Sequence, residues 1–191
     1  MVRPLGSPYR LDVPFESRAS ERLLTRGSAG TIWEAPFFEY RVSQFDTLGS
    51  LVKELRGEHV PMPPPGKGTI TPRQPRDPPP TPFLGGIGWD EDQGVLWVAV
   101  SVAHEDWARR LGARERVGWP TMEERYGPSG SLRRTQLDAW DPVEGKLLAS
   151  TILSESWRSP IGPGIGLSYS SSPEGYLFLD VWRANLERRR K

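Results

Sequence analysis

The chain has no cysteine and only two histidines among its 191 residues. The absence of cysteine excludes disulfides and thiolate metal sites. Neither His59 nor His104 has a second histidine four residues away, so the zinc-protease helix pattern is missing. We therefore expect no metal and no cofactor, and we interpret both histidines as surface residues or as satisfied structural ones.

An excess of one charge sign is also missing, because 25 basic residues face 24 acidic ones. No global field would draw the protein to nucleic acid, so no nucleic-acid partner is expected. No apolar run has the length of a membrane span, and residues 1–8 lack the apolar core of a signal peptide. The sequence predicts a soluble chain and leaves its compartment unknown.

Glycine and proline are abundant, with 20 of each. This usage favours many short strands joined by turns over long helices, and the 36% hydrophobic content is enough to fill a core. The clearest strand is Val95 to Val102, a run rich in β-branched residues that follows the acidic turn Asp90 to Gly94. An all-β fold is the prediction.

Two short patterns recur along the chain. Gly94-Val95-Leu96-Trp97 repeats the spacing of Gly30-Thr31-Ile32-Trp33. Phe45 to Leu51 and Trp140 to Leu147 both read as an aromatic residue, Asp, a short turn, Gly, any residue and Leu. A third, degenerate unit runs from residue 166 to residue 182. A repeat of antiparallel hairpins is therefore predicted.

The repeats divide the chain. Residues 1–59 form a first unit, residues 60–82 a proline-rich linker, and residues 83–191 a second and third unit. Half of the 20 prolines lie in the linker, which favours polyproline II or a ligand for a proline-recognising groove. Residues 104–131 are predicted as an insertion that carries a short amphipathic helix over 104–116.

These units resemble the C-terminal blades of bacterial six-bladed β-propeller proteins of the NHL-like or TolB-like kind. The residues that carry the resemblance cover about half of the chain. They are Gly30 to Trp33 with Tyr40 to Leu51, Gly94 to Val102, Leu137 to Ser150 and the ending Leu179 to Arg183. It implies a propeller-like antiparallel meander of two to three blades. It also implies a binding or scaffolding role.

The chain departs from the family in length, because six blades of about forty residues need about 240 residues. The units would form a fragment of a larger propeller, would be completed by identical chains, or would pack as an open meander. Open strand edges predict self-association.

Tryptophan supplies the candidate binding surface. Trp33, Trp97, Trp140 and Trp182 fall inside predicted strands, where they would pack between sheets. Four other tryptophans lie in predicted turns or in the insertion. These are the candidate binding residues: Trp89, Trp107, Trp119 and Trp157.

Candidate chemistry is sparse. Asp90 and Asp92 are weak metal-site candidates whose spacing falls short of a calcium loop. The glycines at 85, 86 and 88 fit turn positions, since no phosphate-binding lysine follows. Ser168 lies in an incomplete nucleophile motif.

Three functions stay open. The first is a non-catalytic binding or scaffolding module, which makes an enzyme the less favoured reading. The second is a hydrolase or lyase with Asp46, Asp90 and Asp141 converging at one end of the sheets. The third is a remnant without independent function.

Overall fold

The computed structural model of the chain describes residues 22–62, 72–117, 132–153, 159–162, 164–171 and 177–187. Strands make up 55% of these residues, and all the sheets are antiparallel. The all-β prediction is confirmed at this level. Residues 118–131 of the predicted insertion lie outside the described residues.

The strands form three meanders in chain order. The first sheet has the order β1-β2-β3-β4, and its strands are Arg22–Arg26, Ile32–Pro36, Arg41–Phe45 and Leu51–Arg56. The second has the order β5-β6-β7-β8, with strands Phe83–Asp90, Val95–Ala103, Arg133–Asp141 and Lys146–Leu153. The third contains β9, β10 and β11, at Ser159–Gly162, Ile165–Ser171 and Leu177–Arg183.

One helix interrupts the second sheet. Helix α1 spans Trp107–Val117 and follows β6, as the amphipathic pattern predicts. Within the described ranges, no helix is long and apolar enough to cross a membrane.

The first strands of the three sheets are neighbours in space, because β5 contacts both β1 and β9. The second sheet therefore lies between the other two. The structure does not close these sheets into a ring.

The recurring sequence patterns occupy equivalent hairpins. Gly30, Gly94 and Gly164 all have positive φ, between 63° and 78°, and each precedes the second strand of its sheet. Gly49 and Gly145, at 80° and 68°, precede the fourth strands of the first two sheets. Glycine is favoured at such positions because it has no Cβ to clash with the backbone.

Strand β6 is buried on both faces. The residues Val95 to Val100 are all less than 9% exposed. Because successive side chains point to opposite faces, Leu96, Val98 and Val100 join the core with the first sheet. Val95, Trp97 and Ala99 form a second core with residues of β7 and with Ala184 and Leu186. The predicted strand is thus the centre of the fold.

Strand β5 is not among the strands predicted from the sequence. The interpretation of Gly85, Gly86 and Gly88 as turn residues is wrong, because all three lie inside this strand. The pairing with β6 shifts register between Leu84 and Gly86, which marks a bulge. Trp89 also lies in β5 and not in a turn.

Strand β11 forms an open edge of the third sheet. Its Phe178, Leu179, Val181 and Trp182 are between 43% and 65% exposed. The expected packing between sheets is confirmed for Trp33, Trp97 and Trp140, which are at most 7% exposed, and is wrong for Trp182.

Replacement of Gly164 by alanine tests the hairpin geometry. An added Cβ would lie 3.0 Å from Nε1 of Trp97 and 3.2 Å from the Ala184 carbonyl oxygen. Gly49→Ala is the matched control, since its φ is +80° but nothing lies within 4 Å. We expect Gly49→Ala to lower the free energy of unfolding by about 1 kcal/mol, and Gly164→Ala by roughly 1 to 3 kcal/mol more.

Urea unfolding measures both values. Equal losses in the two variants would show that the contact with Trp97 does not constrain position 164.

Candidate functional site

The predicted tryptophan surface is not assembled by the described residues. Trp89 is half-buried in β5, and Trp107 is half-buried at the start of α1. Trp119 and Trp157 lie outside the described residues. Binding by these four tryptophans stays a prediction.

The three aspartates predicted as catalytic candidates accept hydrogen bonds from backbone N–H groups of their own turns. Asp46 Oδ1 accepts the N–H groups of Leu48 and Ser50, and Asp141 Oδ1 accepts those of Val143 and Glu144. Asp90 is buried and accepts the backbone N–H of Gln93 at 3.0 Å. Each aspartate therefore closes a hairpin.

The weak metal-site candidates Asp90 and Asp92 differ in solvent exposure, because Asp90 is buried and Asp92 is exposed. Among the described residues, no group of three or more histidine, aspartate or glutamate side chains could hold a metal ion.

A cleft of about 350 Å³ lies between the second sheet and the residues that end the third. Its floor comes from alternate positions of three strands, which are Trp97, Leu137, Ala139, Ala149, Thr151 and Leu153. Its other side is the stretch from Trp182 to Leu186. We call this site the cleft.

Gln93 holds the outer side of the cleft in place. Its Oε1 accepts the backbone N–H of Leu186 at 2.9 Å, and its Nε2 lies 3.5 Å from the Ala184 carbonyl oxygen. The same Nε2 donates to Asp90 Oδ2 at 2.7 Å. The Ala184 N–H donates to the Gly164 carbonyl at 2.7 Å. Asp90 therefore positions the amide that fixes the cleft.

Trp182, which also lines the cleft, is held by a hydrogen bond within the third sheet. Its indole Nε1 donates to Ser168 Oγ at 2.6 Å. Ser168 is 2% exposed, so this hydroxyl is a buried acceptor and not an accessible nucleophile. The indole N–H is thereby occupied, and the ring is held as an apolar surface.

Among the described residues that line the cleft, Arg183 is the one with a charged side chain. It is exposed, and no carboxylate of the described residues pairs with it. The described lining is thus mostly apolar and carries one cationic residue.

A buried polar network joins the first sheet to the second on the other side. Asp138 of β7 is 0% exposed. Its Oδ2 accepts the Tyr40 hydroxyl and lies 2.8 Å from His59 Nε2. Gln136 Nε2 donates to Asp138 Oδ1 at 3.1 Å, and Trp140 Nε1 donates to the Tyr40 oxygen at 3.0 Å. We call these five residues the Asp138 network.

Burial and the Asp138 carboxylate raise the pKa of Tyr40 above its ordinary value. Tyr40 therefore keeps its proton throughout the neutral pH range, and its hydroxyl donates a hydrogen bond to Asp138. Three donors converge on one carboxylate, which offsets the cost of burying it. The interpretation of His59 as a satisfied structural histidine agrees with this contact, although its side chain is 32% exposed.

A second hollow of about 490 Å³ adjoins this network and is lined by residues 38–41 and 56–62, without 59. Both of its arginines have a glutamate partner, whereas Glu58 of the lining is exposed. Arg41 lies 3.1 Å from Glu39, and Arg56 lies 2.7 Å from Glu54. The hollow therefore presents no uncompensated cluster of one charge sign.

No protein-family profile, curated protein or solved structure matches the chain.

Removal of the Tyr40 hydroxyl tests the Asp138 network. Tyr40→Phe deprives Asp138 of a donor and Trp140 of its acceptor, so we expect a loss of roughly 1 to 3 kcal/mol in the free energy of unfolding. The unfolded chain ionises tyrosine near pH 10, whereas the raised pKa keeps folded Tyr40 protonated. The stability from Tyr40 is therefore present below about pH 10 and declines above it.

Urea unfolding between pH 7 and pH 11 measures both effects. The variant should be weaker at pH 7 and should lose stability less steeply above pH 10. His59→Gln is the comparison and should cost less, because His59 is partly exposed and glutamine retains a donor. A Tyr40→Phe variant within about 0.5 kcal/mol of the parent chain at pH 7 would refute the role of the network.

Proposed function

We propose that the chain is a non-catalytic binding module of the propeller type and that its ligand occupies the cleft. The module is either a fragment of a larger propeller or a set of blades completed by other copies. Its first two sheets are four-stranded antiparallel meanders, and the first strands of all three sheets are adjacent. Both features are typical of propeller blades.

The observation that carries the proposal is the composition of the cleft. Small-molecule sites are concave, mostly apolar and formed before the ligand arrives, with volumes that begin near 300 Å³. The cleft has about 350 Å³, tryptophans at two sides and an outer side fixed by Gln93.

Catalysis receives less support. Asp46, Asp90 and Asp141 close hairpins and line neither the cleft nor the hollow. A hydrolase or lyase would need such carboxylates to face a substrate. A binding role needs only the apolar surface and its polar margin.

A neutral fluorescent probe tests the proposed function. We expect 1-aminoanthracene to bind the parent chain at one saturable site, with a rise in emission as the ring leaves water. Ala149 is exposed and lines the floor of the cleft, so Ala149→Trp should block the site without altering the core. We expect this variant to weaken binding at least about tenfold, which corresponds to about 1.4 kcal/mol.

Ile152→Trp is the matched control. Ile152 lies on the same strand, is 47% exposed and does not line the cleft. Circular dichroism should show both variants folded. The proposal fails if the parent chain shows no saturable binding, or if the two variants bind the probe equally well.

A further inference from the structure

We infer that the ligand of the cleft is a small amphiphile with a carboxylate, whose apolar body lies between Trp97 and Trp182 and whose carboxylate pairs with Arg183. This inference rests on the proposed function and adds the chemical class of the ligand.

The apolar part follows from the floor of the cleft. Leucine, alanine and tryptophan supply most of its lining, and none of the described lining residues is acidic. Trp182 presents its ring and not its N–H, because that group donates to Ser168. A polyhydroxylated sugar would leave most of its hydroxyl groups without partners on such a surface.

The anionic part follows from Arg183. Arg183 lines the cleft, is exposed and has no carboxylate partner among the described residues. A guanidinium binds a carboxylate through two parallel N–H donors, and this geometry is stronger than a neutral hydrogen bond. The other polar side-chain groups of the described lining are the amide of Asn185, the hydroxyl of Thr151 and the buried indole N–H of Trp97, which has no hydrogen-bond partner among the described residues.

A single arginine argues against a di- or triphosphate. Recognition of such groups uses several cations or a glycine-rich loop that opens a helix. The described lining of the cleft has one cationic residue, and its residues come from strands and from the stretch after β11. One negative charge on the ligand therefore matches the site.

The size of the cleft limits the apolar body. A volume of about 350 Å³ equals about a dozen waters at roughly 30 Å³ each. An aliphatic chain of about ten carbons or an aromatic acid of up to three fused rings fits this space. Longer acyl chains would extend into solvent.

Displacement of 1-aminoanthracene by decanoate, decan-1-ol and decylamine tests the inference, with each probe kept below its micelle concentration. We expect decanoate to compete at least about tenfold better than decan-1-ol, and decylamine to compete worst. The advantage of decanoate should shrink as salt is raised, because an exposed ion pair is screened.

Arg183→Gln should abolish the preference for decanoate, so that decanoate and decan-1-ol compete equally well. Arg183→Lys should retain part of the preference. Arg26→Gln is the matched control, since Arg26 is exposed on the first sheet and away from the cleft. It should behave as the parent chain does.

The outcomes separate the two claims. Equal competition by decanoate and decan-1-ol in the parent chain, or a preference that survives in Arg183→Gln, overturns the ligand class while the binding module stands. Failure of 1-aminoanthracene itself to bind overturns the proposed function.

Discussion

The two-sided burial of strand β6 is the constraint on which the rest of the structure depends. A strand that is apolar on both faces must be covered twice, and its alternating side chains assign each cover to a different partner. The first sheet covers Leu96, Val98 and Val100. The residues after β11 cover Val95, Trp97 and Ala99. The second cover is narrower than the first and leaves the cleft beside it.

Each cover is fixed by a polar contact of the second sheet. Asp138 of β7 binds Tyr40, which directly precedes β3, and His59, which lies in the turn after β4. Gln93, held by Asp90, binds the backbone at Ala184 and Leu186. Apolar burial has no direction, whereas these hydrogen bonds have one, so they set how each cover sits on β6. The same physical arrangement thus explains both the buried carboxylate and the shape of the cleft.

Local sequence signals predicted the parts of the fold that local chemistry determines. The β-branched run of β6 and the Asp-to-Gly hairpins were found because their side chains and positive-φ glycines act within a few residues. Strand β5 was missed because its three glycines have no side chains to show alternation, and β9 was missed because Ser159–Gly162 is short and contains a proline. Trp182 was misplaced because alternation does not distinguish an edge strand from a covered one.

The candidate sites had no comparable signal. Tyr40 and Asp138 are 98 positions apart, and Gln93 and Leu186 are 93 positions apart. Only the stacking of the three sheets brings them together. The aspartates at 46, 90 and 141 are possible catalytic residues by residue type alone. In the structure, their side-chain oxygens accept hydrogen bonds from neighbouring backbone N–H groups. Long-range pairing decided the site, and the residue types alone did not.

We propose that one face of β6 is covered by the chain alone and the other by the chain together with a ligand. Amide hydrogen exchange with and without decanoate tests it most directly. We predict slower exchange on ligand addition in β8 and in residues 182–186, with no change in β2 and β3. Protection that appears in the first sheet, or no protection at a saturating concentration of decanoate, would contradict the account.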